Sequence, residues 1–416
     1  MGCAPTPTCD STTWSTSWKM YNISFHDNYV HHTQGEGYYI GNTQYDYNYS
    51  CSFGNVDVHP QQIDSVKFYN NRIDSAGWTA AQISQVTGGV DIHDNLVTNY
   101  GYLNAQQHQA GIIIGEFSQG RMYNNKIIGG TGDALQYFGN GMTTVYNNIF
   151  ANAGYDGTAQ GQPAVFVDDR VQATGYPALH LNFINNTIVN PARNGVSFYN
   201  DNGTVDQGNI LANNLIVAPG ILSSLPNVAY FDLQANPHVT LTNNVTLPTV
   251  ALALFANPSG NDYHLNAGSP GVDAGMNAAS YGVTTDLDGN QRPIGKAYDA
   301  GAYEYNGTTT AATGLQSLSA TGASLDNPSD MTTQSLSEFP NPAHDVIHIN
   351  WADNTMGSVL ITLYDNSGRA VQSSVVQKTG QLYSGQLSVA TLAPGVYYLT
   401  IKESNGQTQT KKVIKQ

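Results

Sequence analysis

The stretch FVDDR, residues 166–170, sets two carboxylates and a guanidinium side by side. Paired carboxylates can divide the work of acid and base in glycoside hydrolysis when the second lies within reach of the first. A neighbouring carboxylate also raises its partner's pKa, as a general acid requires. Asp168 and Asp169 are the candidates here. Glu116 and Asp133 are the carboxylates that the fold would have to bring to them. The same oxygens suit Ca²⁺, a hard cation, and Arg170 would then add a positive charge beside it. The structural alternative for DDR is a turn with a local ion pair, worth little energetically. His31, His32 and His108 have neither a nucleophile nor a metal triad around them, and they read as turn or loop residues.

A repeat can bring distant residues together. Pairs of Asn, or Asp-Asn, recur between apolar residues in FHDNYV, KFYNNRI, IHDNLV, RMYNNKI, VYNNIF, NFINNTI, ILANNLI and LTNNVT. The second member falls at Asn28, Asn71, Asn95, Asn125, Asn148, Asn186, Asn214 and Asn244, at intervals of 43, 24, 30, 23, 38, 28 and 30. The flanks are β-branched and aromatic and alternate as short strands do. Short strands on a repeat near 23 residues, without helices, predict a solenoid of β-coils stacked about 4.8 Å apart. Asn tolerates the left-handed bend, and its amide both donates and accepts, so a column of Asn can bond up the stack.

A second strand lies upstream of the ladder strand in each coil: GYYIGN, AAQISQ, GIIIGE, ALQYFG, AVFVDD and GVSFYN. Alternation sends Tyr38, Ala81, Ile112, Leu135, Val165 and Val196 inward. Tyr39, Gln82, Ile113, Gln136, Phe166 and Ser197 then form one outward column. Gly41, Ser84, Gly115, Phe138, Asp168 and Tyr199 form the next. Glu116 and Asp133 fall at the edges of this first-strand face, and two coils separate carboxylates by about 10 Å.

With this ladder, residues 15–305 resemble the right-handed parallel β-helix proteins of the pectate-lyase-like fold. The resemblance implies an outer groove for a polysaccharide along one strand face. Tyr39, Gln82, Gln136, Phe166, Tyr199 and Arg193 are the expected substrate contacts. Tyr45, Tyr47, Tyr49, Tyr100 and Tyr102, in Tyr-rich insertions beside that face, offer rings that could stack on sugars. It further implies a hydrolase with an aspartate cluster, although the accompanying histidine motif is absent, or a lyase using Ca²⁺ with an Arg base, for which Arg170 and Arg193 are at hand. The different-class alternative is a non-catalytic adhesin or glycan-binding solenoid.

SPGVDAG, TDLDGNQRP and DAGAYEY (269–305) resemble a run that closes many bacterial β-helices. Asp286, Asp288 and Asn290 could hold Ca²⁺, but the spacing is half of a calcium loop, and an Asp/Gly turn with Arg292 paired to a carboxylate is the favoured reading. Residues 307–337 are rich in Thr, Ser, Ala and Gly and read as a flexible linker. Alternating strands with DNSG, APG and SNG turns then predict a small immunoglobulin-like β-sandwich over 338–416. Pro340-Asn341-Pro342, Tyr364-Asp365 with Gly368, Pro394-Gly395-Val396-Tyr397 and Lys412-Val413-Ile414-Lys415 make this tail similar to the C-terminal sorting domain of the type IX secretion system of Bacteroidetes. That implies contact with the secretion machinery, export across the outer membrane, and removal of the tail or surface attachment. The first residues lack a basic and an apolar leader region, so the chain is expected to be part of a longer one.

Composition narrows the choices. Charged residues make up 11% of the chain and the net charge is −15, which argues against nucleic acid. Residues 1–337 hold 25 acidic and 9 basic residues against 5 and 6 in 338–416, a shift that marks a boundary. No apolar run is long enough to span a membrane. Cys3, Cys9 and Cys51 lack metal-ligand spacing; one disulfide involving Cys51 suits an oxidising compartment, with free thiols as the alternative. The expectation is an all-β protein: a β-helix over 1–306, a linker, and a sorting domain. It would act as a monomer on a polysaccharide, secreted or held at the cell surface.

Overall fold

In the computed structural model the described residues are 2–3, 6–43, 46–158, 160–169, 177–220, 230–234, 237–307, 335–339, 343, 346–352, 357–366, 368–378, 382–402 and 408–415. Most of the expected linker, Tyr45 and Arg170 lie outside them. The chain divides into two compact units, Met1–Thr308 and Thr309–Gln416.

The first unit is a parallel β-helix. Its strands form three parallel sheets of eight, and the chain visits the sheets in rotation. The first sheet contains Tyr38–Ile40, Ala81–Ile83, Ile112–Ile114, Leu135–Tyr137, Val165–Asp168, Val196–Tyr199 and Phe231–Gln234, with Gly2–Cys3 at its edge. Ladder strands such as Val66–Tyr69 and Gly141–Tyr146 build the second sheet, and strands following the ladder, such as Arg72–Ala76 and Lys126–Gly130, build the third.

Each Asn pair divides its labour. The first member (Asp27, Asn70, Asp94, Asn124, Asn147, Asn185, Asn213 or Asn243) adopts φ between 51° and 56° and turns the chain from the second sheet into the third. Asn and Asp bear this left-handed geometry better than most residues. The second member forms the ladder: from Asn28 through Asn71, Asn95, Asn125, Asn148, Asn186 and Asn214 to Asn244, each Nδ2 donates to the next Oδ1 at 2.8–3.2 Å.

Three inward columns fill the lumen: Tyr38 to Val196 on the first sheet, Phe68 to Leu211 on the second, and Ile73 to Ile216 on the third. Small residues at the corner entering the first sheet allow the tight turn. A Cβ on Gly111 would lie 2.6 Å from both Ala134 O and Ile127 Cγ2.

Residues 250–305 run back along the outside. Phe255, Tyr263, Leu265 and Tyr303 cover Ile149, Val189, Leu215 and Val217 of the third sheet. Ala278, Val283 and Tyr298 cover Ile184 and Ala212 of the second. Arg292 welds this segment down. It donates to Glu304 Oε1 at 2.6 Å, with both side chains fully buried, and to Asn147 Oδ1 at 3.1 Å. A buried ion pair of this kind is costly to break from one side, about 3–5 kcal/mol.

Within the second unit, Ser335–Phe339, Val346–Ala352 and Leu382–Ser388 form an antiparallel sheet of three. Ala370–Lys378, Gly357–Asp365, Gly395–Lys402 and Thr408–Lys415 form a sheet of four. Ile347, Ile349 and Leu387 of one pack with Val359, Ile361, Leu363, Leu399, Ile401 and Val413 of the other, as in a small sandwich.

Candidate functional site

The outer face of the first sheet has the register read from the sequence. Tyr39, Gln82, Ile113, Gln136, Phe166, Ser197 and Asp232 pair in succession as one column. Asp168 pairs with Tyr199, and Tyr199 with Gln234, in the next. Insertions flank the face along both edges. On one side stand the hairpin Tyr47–Cys51/Gly54–Val58, tied down by the Cys9–Cys51 disulfide, and residues 200–208. On the other are residues 101–111, 152–158 and 160–164.

At the N-terminal end the floor is partly closed. Gln82 Nε2 donates to Thr43 Oγ1, and the Tyr39 hydroxyl bonds the same oxygen. Tyr47 stacks parallel to Tyr49 at 6.0 Å. Burial raises the Tyr47 pKa, and the charges of Tyr39, Tyr49 and Glu116 push the same way.

The middle is aromatic. Ala110, Ile113 and Phe138 are buried together with half-buried Phe166 over them. Phe166 makes edge contacts with Phe138 at 5.9 Å and Tyr199 at 5.3 Å. Gln136, half-buried beside them, donates to Asp133 Oδ2 at 2.6 Å. At the C-terminal end Tyr199 OH donates to Asp232 Oδ2 at 3.3 Å. Burial raises the Tyr199 pKa, Asp232 adds to the rise, and Arg193 opposes it, so Arg193 stands at this end of the face.

The carboxylates do not form one cluster. Asp133 enters its strand at one edge, and Asp168 leaves the next strand at the other. One coil and five residues separate them, about 17 Å along the backbone. Glu116 and Asp168 share an edge two coils apart, about 10 Å. Asp168 is 9% exposed. The Asp169 carboxylate accepts from Asn202 N at 3.1 Å, Thr204 N at 2.8 Å and Thr204 Oγ1 at 3.0 Å, and so organises the turn after the next strand.

Elsewhere, Asp286 lies within its own turn. Its oxygens accept from Asp288 N, Asn290 N, Asn290 Nδ2 and Glu304 N at 2.8–3.1 Å. Asp288 faces His264 instead, at 2.6 Å. Tyr100 corrects an expectation. Asn99 at φ 54° breaks the alternation, so the Tyr100 ring turns into the core and its hydroxyl donates to Gly132 O at 3.2 Å. Tyr102 is half-buried and bonds Thr33 O at 3.2 Å.

Two features lie beyond the expected columns. Asp232 belongs to a seventh strand, FDLQ, which continues the upstream-strand pattern one coil further. On the second sheet, His26, Tyr69, His93, Tyr123 and Tyr146 stack ring on ring at 4.7–5.0 Å. Each stands two residues before its ladder Asn, a spacing visible in the repeat itself.

Residues 337–416 match the secretion system C-terminal sorting domain family. The chain therefore carries a type IX secretion sorting domain behind a parallel β-helix, an architecture for export. No curated protein matches the chain. Among solved structures it is similar to the enzymatically active domain of tailspike protein 2 of bacteriophage CBA120, at 12% identity, with 97% of this chain and 70% of that one covered and a TM-score of 0.28. That likeness is too loose to carry inference about either fold or activity.

Proposed function

We propose that this is an exported polysaccharide-binding β-helix whose first-strand face takes the glycan. The observation that carries this reading is the strip formed by Gln136, Phe166, Tyr199 and Asp232, where two half-buried rings on adjacent coils are flanked by polar groups on the coils to either side. Rings present apolar faces to sugars, and amides and carboxylates bond their hydroxyls. Arg193 extends the contact toward the C-terminal end, while Gln82, buried under Thr43, supports the floor at the other. The test is affinity electrophoresis of the full chain in neutral plant, algal and bacterial polysaccharides. Retardation that drops at least about tenfold in Phe166→Ala and Tyr199→Ala supports the assignment. Retardation unchanged in both variants rules out this face.

A second reading, cleavage, rests on Glu116 and Asp168. Their separation of about 10 Å along one edge lies near the range of about 6.5–9.5 Å between the carboxyl groups of inverting hydrolases. A lyase would instead use Ca²⁺ held by these carboxylates. Reducing ends that vanish in both Glu116→Gln and Asp168→Asn, without absorbance from unsaturated uronates, would establish hydrolysis. Full activity in Asp168→Asn would eliminate the pair.

A further inference from the structure

The polar groups of the first-strand face share an orientation. Gln136 turns its amino end to Asp133 Oδ2 at 2.6 Å. Gln234 turns its amino end to Asp232, 3.4 Å from each oxygen. Tyr199 gives its one hydroxyl proton to Asp232 at 3.3 Å. A carboxylate only accepts, so it fixes which end of each amide it meets. The carbonyl ends of Gln136 and Gln234 are thereby turned away from their carboxylates, and the Tyr199 oxygen, which also meets the Ser197 side chain, has a second lone pair for an incoming donor. Asp133 and Asp232 lie three coils apart, Asp133 at the edge where its strand begins and Asp232 on the floor; Glu116 and Asp168 stand along the opposite edge, and Arg193 is close enough to Tyr199 to oppose the rise in its pKa.

Sugar hydroxyls can donate to such acceptors. A uronate carboxylate or a sulfate ester has no proton to give at neutral pH, and would meet like charge in a partly desolvated place. Building on the polysaccharide reading above, we infer that this face selects an uncharged, hydroxyl-bearing glycan and discriminates against polyuronates and sulfated glycans. Asp133 and Asp232 set that preference by holding Gln136, Tyr199 and Gln234 with acceptors outward.

The probes are matched pairs: a neutral glucan, mannan, xylan and galactan, each beside its carboxymethylated form, and polygalacturonate beside its fully methyl-esterified form. Binding of the full chain is measured by calorimetry at low and high salt, with and without added Ca²⁺. The expected result is that the neutral member of any pair that binds does so at least about tenfold more tightly at low salt, and that the gap narrows as salt screens the repulsion. In Asp232→Asn and, as a separate variant, Asp133→Asn, the gap shrinks while the circular dichroism spectrum is retained. An anionic member that binds as tightly as its neutral partner, with or without Ca²⁺, overturns the inference while leaving the polysaccharide reading intact. A gap unchanged in both variants overturns the roles of the two aspartates. If no polymer binds, the polysaccharide reading fails and this inference falls with it.

Discussion

Asn148 is the most informative residue to remove from the ladder. It is wholly buried. Its Nδ2 donates to Asn186 Oδ1 and Tyr146 O at 2.9 Å and to Met122 O at 3.1 Å; its Oδ1 accepts from Asn125 N at 3.0 Å and Asn125 Nδ2 at 2.9 Å. In Asn148→Ala some of these groups keep other partners. Asn125 Nδ2 still reaches Ile92 O and Tyr123 O, and Asn186 Oδ1 still accepts the backbone N–H of residue 148. The backbone N–H of Asn125 is left facing a methyl group, and Met122 O loses its amide donor. At about 1–3 kcal/mol for a stranded buried group, the expected loss is about 3 kcal/mol. Asn28 stands at the exposed end of the same ladder, where water replaces what is lost, so Asn28→Ala should cost less than about 1 kcal/mol. Asn148→Asp should be worse than alanine at neutral pH, because its carboxylate would face the oxygens of Asn186, Tyr146 and Met122, and should recover as acid protonates it. Urea unfolding of the full chain, followed by circular dichroism, measures all three. Equal losses at Asn28 and Asn148, or an aspartate tolerated as well as alanine, would refute the ladder as the source of this stability.

Two further outcomes are expected. His264 bridges Asp262 at 2.5 Å and Asp288 at 2.6 Å and stacks on Tyr303 at 3.8 Å. Burial works against its protonation, but the bonds to Asp288 and Asp262 outweigh it and hold the imidazole above its usual 6.5. This contribution is complete below about pH 6.5 and is lost as pH rises through the raised value. The thermal midpoint should therefore fall on the alkaline side of 6.5, and His264→Gln should flatten that dependence; an unaltered pH profile would count against it. Removing residues 338–416 should leave the β-helix spectrum intact and abolish export, and continued secretion of the shortened protein would contradict the role of the tail.

Much of the fold is legible in the sequence because a solenoid repeats itself. Strand alternation has a period of two, and one Asn per coil serves as a fixed mark. The outward columns through Tyr39 and Asp168 therefore align from residue spacing alone. Alternation fails at Tyr100, where the left-handed Asn99 consumes one residue and reverses the side of the next.

The amino-acid sequence by itself determined the coil register, the inward and outward columns, the asparagine ladder and the sorting tail, since each depends on local spacing. Only the tertiary structure decided which carboxylates are neighbours. Asp133 and Asp168 sit on adjacent coils yet at opposite edges of the face, and Asp169 serves the turn holding Asn202 and Thr204. It also decided that the disulfide joins Cys9 to Cys51 and that residues 250–305 cover the third sheet. The reason is physical: these contacts are made by the segments before and after the coils and by insertions between them, whose lengths follow no period, so their partners are set by packing across the solenoid.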